Sequence, residues 1–129
     1  MPAEGMFIVI KRLRGLSVGA FFLKKLGGVM NQPEASLAIQ VLPQSVTGDE
    51  VLSIVDKVIA YIKSTGLNTV VGPFETVIEG DFERLMEIAS ECQRICIREG
   101  TAGLLTYMKM AYNPNGGVWS IEKKIARHA

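Results

Sequence analysis

The sequence predicts a ferredoxin-like α+β sandwich, which is an antiparallel four-stranded sheet with the element order βαββαβ and an extra C-terminal helix. Three observations predict it. One early segment alternates apolar and polar residues as a strand does, two long segments repeat apolar residues at helical spacing, and a Gly-Pro turn separates two short β-prone runs. Both helices then pack on one face of a single sheet. At 129 residues and 48% hydrophobic composition, the chain suits one such core.

The first strand and the first helix have clear boundaries. Over residues 36–42 apolar and polar side chains alternate, which gives the strand one core face, and Pro43 ends it because proline has no N–H to donate. A helix follows, because Thr47 and Glu50 have the spacing of a capping box. Gly66 is typical of its C-terminus. The residues predicted to form its core face are Val51, Ile54, Val55, Val58 and Ile62.

A hairpin and a second helix come next. Residues 69–71 and 76–79 are predicted strands joined as a hairpin, since Gly72-Pro73 marks a turn or bulge. Asp81 is the expected N-cap of the second helix. The residues predicted to share its buried face are Phe82, Leu85, Met86, Ala89, Cys92 and Cys96.

The last elements follow Gly100, which is expected to end the second helix. A fourth strand is predicted over residues 104–110, and a Gly- and Asn-rich loop over 113–117. Ser120 then caps a short terminal helix.

Residues 1–29 differ in character from the rest of the chain. They carry five basic residues and one acidic residue, whereas residues 30–129 carry nine basic and twelve acidic ones. Their order of charges and apolar patches is wrong for a signal peptide, and no apolar run is long enough to span a membrane. We expect one domain over residues 30–129. Residues 1–29 are then a disordered extension, or an upstream segment ahead of a true start at Met30.

Residue types that carry catalysis or metal binding are scarce. Two cysteines and one histidine exclude a disulfide-dense scaffold and a Cys2His2 zinc site, and they fit a reducing, cytoplasmic compartment. Cys92 and Cys96 continue an apolar stripe, which favours packing. There is no Gly-x-Ser-x-Gly elbow and no phosphate-binding glycine loop. The central strands carry Gln40, Thr76 and Glu79 where an RNA-binding sheet needs aromatic and basic residues. We expect neither an enzyme nor a nucleic-acid-binding protein.

Small-molecule binding is the function class that remains. Residues 72–76 place an aromatic ring, a carboxylate and a hydroxyl beside an irregular hairpin, which could shape a small pocket. A flat heteroaromatic ring with an amino group would suit Phe74 together with Glu75 or Gln40. In the alternative interpretation, the Gly-Pro pair only makes a turn and Glu75 is solvated.

The sheet face opposite the two helices also needs a partner. The first strand presents a mixed surface there that is too apolar to remain wholly hydrated. Its members are Ser36, Ala38, Gln40 and Leu42. We expect the chain to assemble with itself through this face, as a homodimer or a homotetramer.

Three stretches of the domain carry a family resemblance: SLAIQVLP at 36–43, VGPFETVIEGD at 71–81, and the Gly116-Gly117 loop with IEKKI at 121–125. They resemble the thiamine-binding, YkoF-like family of small bacterial and archaeal proteins. The similarity covers about residues 34–128, and the Val-Gly-Pro-x-x-Thr-x-x-Glu-Gly run is its most specific part.

This resemblance implies a ferredoxin-like fold, homo-oligomers built by sheet-to-sheet association, and binding of thiamine or its hydroxymethylpyrimidine moiety. It implies no catalysis and no catalytic cofactor. The predicted ligand-binding residues are Ser36, Gln40, Gly72, Pro73, Phe74, Glu75, Thr76 and Lys109. Two alternatives stay open, namely a structural or regulatory oligomer that binds no vitamin, and an enzyme whose site is completed between subunits.

Overall fold

The computed structural model describes residues 32–128, and within them the predicted βαββαβ order is confirmed. The expectations for residues 1–29 concern a segment outside the described residues. None of the helices in the described part is long and apolar enough to cross a membrane. The elements are β1 (Ala35–Pro43), α1 (Gly48–Ser64), β2 (Thr69–Val71), β3 (Thr76–Gly80), α2 (Phe82–Arg98), β4 (Leu104–Tyr112) and α3 (Ile121–Ile125), with a 3₁₀ turn over Ala126–His128.

The four strands form one antiparallel sheet in the order β2-β3-β1-β4. β1 pairs with β4 along all 9 of its residues, but with β3 only from Ala35 to Ile39. Side chains of a strand alternate between the two faces of a sheet. The odd-numbered residues of β1 therefore face α1 and α2, and the even-numbered ones face away. We call this second surface the open face; on β1 it comprises Ser36, Ala38, Gln40 and Leu42.

The hydrophobic core lies between α1, α2 and the odd-numbered residues of β1. Its buried apolar side chains include Leu37, Ile39, Val41, Ile54, Val58, Ile62, Ile78, Leu85, Ile88, Ala89, Cys92 and Cys96. The predicted face of α2 was wrong at Met86, which is 40% exposed, whereas Ile88 is buried. Successive helical residues are rotated by about 100°. Met86 is therefore turned away from the Leu85–Cys92 line, and Ile88 lies close to it.

Both predicted ends of α1 are confirmed. The Thr47 N–H donates to the Glu50 carboxylate at 3.0 Å, and the Glu50 N–H donates to the Thr47 hydroxyl at 3.4 Å, which is a complete capping box. Past the C-terminus, Gly66 has a φ of +76°, a conformation that glycine adopts without steric cost. Local sequence signals therefore fix where this helix begins and ends.

The start of α2 depends on a contact between distant residues. Asp81 occupies the predicted N-cap position, but its side chain makes no capping hydrogen bond. Instead, the Phe82 N–H donates to the carboxylate of Glu34 at 2.8 Å. Glu34 precedes β1 by one residue, so the pairing of β1 with β3 brings it to the helix end, where a carboxylate also meets the positive end of the helix dipole.

Glu79 holds α3 against the open face. Its carboxylate accepts a hydrogen bond from the Ile121 N–H at 2.8 Å and another from the Asn68 side-chain amide at 2.8 Å. Glu79 and Ile121 are both buried. Ser120 caps the same helix through its hydroxyl, as predicted, at 3.1 Å from the Lys123 nitrogen. One end of the open face is thus covered, and the buried carboxylate of Glu79 is stabilised by two hydrogen-bond donors.

Replacing Glu79 with alanine should destabilise the protein. The buried Ile121 N–H would lose its acceptor, and a buried donor left without a partner costs about 1–3 kcal/mol; the exposed Asn68 amide would lose one of its two acceptors. We expect Glu79→Ala to lower the free energy of unfolding in urea by about 2 kcal/mol. Glu122→Ala is the matched control, because Glu122 is exposed and accepts only one bond from Asn68. An equal loss in both variants would contradict the anchoring role of Glu79.

Candidate functional site

A tight hairpin turn joins β2 and β3. The Gly72 N–H donates to the carbonyl of Glu75 at 2.9 Å, so Pro73 and Phe74 form a two-residue tip. A Cβ added at Gly72 would lie 2.9 Å from that same carbonyl oxygen. The predicted turn is therefore present in a compact form, and glycine is required at its first position by close approach of the backbone.

Beside this tip is a pocket of about 180 Å³, which we call the hairpin pocket. It exists because β1 continues to Pro43 after its pairing with β3 has stopped at Ile39. The space is closed by the tip on one side and by α1 on another. The lining residues are Ile39, Gln40, Val41, Val55, Val58, Ile59, Ile62, Val71, Gly72, Pro73, Phe74, Glu75 and Thr76.

Thr76 brings a buried hydroxyl group to the hairpin pocket. The residue is only 7% exposed, and within residues 32–128 its hydroxyl forms no hydrogen bond. Most buried polar side chains in proteins have a partner. By comparison, the hydroxyl of the equally buried Thr101 donates to the Cys96 carbonyl at 3.1 Å. Thr76 therefore has an unused hydrogen-bonding capacity at the pocket wall.

The backbone of Val41 is directed to the same place. The Gln44 N–H donates to the Gly103 carbonyl at 3.0 Å, so the even-numbered residues of β1 bond toward β4. Hydrogen-bonding directions alternate along an antiparallel strand. The N–H and C=O of Val41 consequently point to the β3 side, two residues beyond the last β1–β3 pair. They offer one donor and one acceptor side by side.

Charged and polar groups surround the mouth of the pocket on the open face. The Lys109 ammonium lies 3.6 Å from the Glu75 carboxylate. Lys109 is paired with the small residue Ala38, so its side chain can reach across β1 to Glu75. Gln40 faces Tyr107 in the same register, and Tyr107 is 61% exposed. Glu75 thus already has a counter-ion, although both groups remain accessible to solvent.

Six of the eight predicted ligand-binding residues line the hairpin pocket, and a seventh, Lys109, contacts one of the six. Ser36 does not join them. It is buried opposite Glu79 at the other end of β1, about 13 Å along the strand from Gln40. Sequence reasoning missed Ile59 on the pocket wall. Ile59 follows Val55 by four residues, so both side chains lie on the same face of α1, and this spacing could have predicted the position of Ile59.

A larger depression, of about 400 Å³, lies on the outer surface of the helix layer. It is wide open to solvent, and its charged members pair with their neighbours, as Arg94 does with Glu91 at 3.8 Å. Its lining residues are Tyr61, Glu87, Ser90, Glu91 and Arg94. The hairpin pocket is the better candidate site, because it is more enclosed and combines apolar walls with unused polar groups.

The two cysteines are placed for packing, as predicted. Cys92 and Cys96 are fully buried in the core as free thiols. Burial, together with the neighbouring thiol of Cys96 and the carboxylate of Glu91, raises the pKa of Cys92 to about 12, and burial also raises the pKa of Cys96. Within the described part of the chain, no group of three or more His, Cys, Asp or Glu side chains could hold a metal ion.

The sheet order and the helix layer define the class of ferredoxin-like α+β proteins. A family model described as thiamine-binding protein matches residues 37–129, and the chain belongs to this family. The predicted family resemblance is therefore confirmed. A UPF0045 protein of Clostridium perfringens is 40% identical over 93 residues, which are 72% of this chain and 95% of that protein.

Solved structures agree with this assignment. A DUF77 domain of unknown function from Bacillus cereus is 32% identical with a TM-score of 0.67, covering 74% of this chain and 89% of that one. A Thermotoga maritima protein, assigned provisionally to thiamine biosynthesis or salvage, is 27% identical with a TM-score of 0.66, covering 75% of this chain and 100% of that one. These matches confirm the fold class predicted from the sequence.

The thiols should be unreactive in the folded protein. A thiol reacts as its thiolate, and a raised pKa keeps both cysteines protonated at neutral and mildly alkaline pH. We expect a thiol-specific chromogenic reagent at pH 8 to modify neither cysteine until denaturant is added, and then to modify both. Rapid modification of the native protein would contradict the burial of this pair.

Proposed function

We propose that the protein binds thiamine or its hydroxymethylpyrimidine moiety in the hairpin pocket, without catalysing a reaction on it and without a catalytic cofactor. The buried, unused hydroxyl of Thr76 at the wall of an apolar pocket is the observation that carries the proposal. Membership of the thiamine-binding protein family and the Thermotoga maritima relative support a thiamine-related ligand.

The size of the pocket favours the pyrimidine ring as the part that enters. A cavity of about 150 Å³ accommodates benzene, and the hairpin pocket has about 180 Å³. One substituted six-membered ring fits this volume, whereas sites for larger, drug-sized ligands have about 300 Å³ or more. The thiazolium ring of an intact thiamine would then remain at the mouth, near Glu75.

The polar groups suit an aminopyrimidine. Its ring nitrogen and the adjacent exocyclic amine form an acceptor–donor pair, which is complementary to the N–H and C=O of Val41. Gln40 or Glu75 can also accept a hydrogen bond from the amine, and the Thr76 hydroxyl orients the ring. Phe74, which is 78% exposed at the hairpin tip, is available to stack on its face.

The charged groups at the mouth of the pocket also favour the pyrimidine over intact thiamine. Glu75 is the carboxylate among the residues that line the pocket, and Lys109 already lies beside it. A cationic thiazolium would compete with this ammonium and gain little from an exposed pair. The neutral pyrimidine avoids this competition. We therefore expect the pyrimidine alone to retain most of the affinity.

Self-assembly through the open face belongs to the same proposal, as a homodimer or a homotetramer. Val70, Leu105 and Tyr107 are exposed on this face, beyond the end covered by α3. This exposed apolar surface also favours a second candidate function, a structural or regulatory oligomer that binds no vitamin. The two functions differ in whether the hairpin pocket takes up a ligand.

Calorimetric titration of the full chain tests the proposal. Hydroxymethylpyrimidine and thiamine should each bind saturably, with dissociation constants within about tenfold of each other. Thr76→Val should weaken binding of the pyrimidine by about three- to tenfold, the value of one hydrogen bond. It should not reduce stability, because the native hydroxyl has no hydrogen-bond partner to lose among residues 32–128.

Thr101→Val is the matched control. It removes a buried hydroxyl that does make a hydrogen bond, so it should lower stability and leave binding unchanged. Ser36→Ala tests the one predicted ligand-binding residue that lies apart, and Gln40→Ala tests the mouth of the pocket. No heat with either compound would reject the binding function and favour the structural oligomer. Unchanged affinity in Thr76→Val and Gln40→Ala would remove these residues from the site.

A further inference from the structure

The mouth of the hairpin pocket carries an ion pair whose two members come from different parts of the sheet. Glu75 directly precedes β3, and Lys109 lies on β4. The Lys109 ammonium lies 3.6 Å from the Glu75 carboxylate, and Ala38 of β1 is the register partner of Lys109 between them. The Lys109 side chain is 78% exposed and that of Glu75 39% exposed. A group at the mouth can therefore reach both charges.

The lining of the pocket is poorly suited to a phosphate group. Among the described residues that line it, Glu75 is the only charged one, and it is acidic. A bound phosphate is usually held by several basic side chains or free backbone N–H groups acting together. At the hairpin tip, the Gly72 N–H is already used by the Glu75 carbonyl at 2.9 Å. The basic group that contacts the lining is Lys109, and Glu75 already pairs with it.

Whatever the methylene group of the pyrimidine carries must lie at this ion pair. The pocket has about 180 Å³, which suits one substituted ring, so the substituent of the methylene remains at the mouth. That substituent is a hydroxyl in the free alcohol, a thiazolium ring in thiamine and a phosphate in the phosphate ester. The three are neutral, cationic and anionic, and a phosphate monoester carries about −1.5 to −2 charges at pH 7.

We propose that the Glu75–Lys109 ion pair is a charge filter, which makes the hairpin pocket select the neutral pyrimidine alcohol and reject its phosphate ester. This inference rests on the proposed function, because it names the form of the pyrimidine that the same pocket takes. An anion that approaches Lys109 also approaches the Glu75 carboxylate, and a cation that approaches Glu75 meets the Lys109 ammonium. A hydroxyl group is not repelled by either charge, and it can accept from one and donate to the other.

The two members of the pair affect charge preference with opposite signs. If the carboxylate were removed, Lys109 would be free to attract a phosphate. If the ammonium were removed, Glu75 would be free to attract a thiazolium. Residues that only shape the pocket would change the affinity for both ligands in the same direction. Opposite changes in the two single variants are therefore specific to a charge filter.

Calorimetric titration of the full chain at low salt tests the charge filter with three compounds: hydroxymethylpyrimidine, its phosphate ester and thiamine. The phosphate ester should bind the wild-type chain at least about tenfold more weakly than the alcohol, because a doubly charged group lies close to a carboxylate. The readout is the ratio of two affinities in each variant. It does not depend on how the variant changes binding of the alcohol itself.

Glu75→Gln keeps the shape of the side chain and removes its charge. We expect it to raise the ratio of ester affinity to alcohol affinity by about tenfold. Lys109→Gln should lower that ratio further, and it should raise the ratio of thiamine affinity to alcohol affinity by about three- to fivefold, as expected for an exposed ion pair.

Two control variants remove the same charges away from the pocket. Glu83→Gln lies in the first turn of α2, and Lys124→Gln lies on α3. Both should leave the affinity ratios at their wild-type values. A salt titration of the wild-type chain needs no variant. At 1 M salt the screening length falls to about 3 Å, so the preference for the alcohol over the ester should become smaller.

Four results would overturn the charge filter while the alcohol still binds and the proposed function stands. They are an ester that binds the wild-type chain as tightly as the alcohol, an unchanged ester-to-alcohol ratio in Glu75→Gln, changes of the same sign in both single variants, and a preference that is undiminished at 1 M salt. If none of the three compounds binds, the proposed function fails, and the charge filter fails with it.

Discussion

The unequal pairing of β1 with its two neighbours is the constraint on which the candidate site depends. β4 follows β1 along its full length, whereas β3 stops at Ile39 and turns back through Gly72. If β3 extended as far along β1 as β4 does, the N–H and C=O of Val41 would form hydrogen bonds with β3. The residues of the longer β3 would then fill the pocket. The close approach at Gly72 sets where the hairpin ends. The pocket is therefore a consequence of strand length, and the N–H and C=O of Val41 that face it belong to β1, which extends past the end of β3.

Two buried polar side chains on β3 differ in whether the described part of the chain satisfies their hydrogen-bonding capacity. Glu79 faces the open side, and its carboxylate accepts two hydrogen bonds at 2.8 Å that fasten α3 and Asn68. Thr76 faces the helix side three residues earlier, and its hydroxyl forms no such bond within the described residues. Burial costs both groups their hydration. Of the two, only Glu79 recovers that cost through hydrogen bonds within residues 32–128, and this difference is the reason why we propose Thr76 as a ligand-binding residue.

Much of this arrangement could be predicted from local sequence. The alternation in β1, the capping box at Thr47 and the Gly72-Pro73 turn each depend on a few adjacent residues, and all are present. Properties that depend on register were not predictable in this way. The carboxylate of Glu34 reaches α2 only because strands pair, and Ser36 is separated from Gln40 only because their distance along β1 is fixed. The direction of the Val41 backbone likewise follows from hydrogen bonds at the far end of the strand.

We propose that a pyrimidine ring occupies the hairpin pocket, and chemical-shift mapping can locate the ring residue by residue. An amide ¹H–¹⁵N spectrum of the full chain would be recorded with increasing hydroxymethylpyrimidine. We predict that the largest shifts fall on the amides of Val41, Gly72, Phe74 and Thr76, with Ser36 and Ile121 unmoved. Shifts concentrated on the open face or on the outer surface of the helices, or no shifts at saturating ligand, would contradict it.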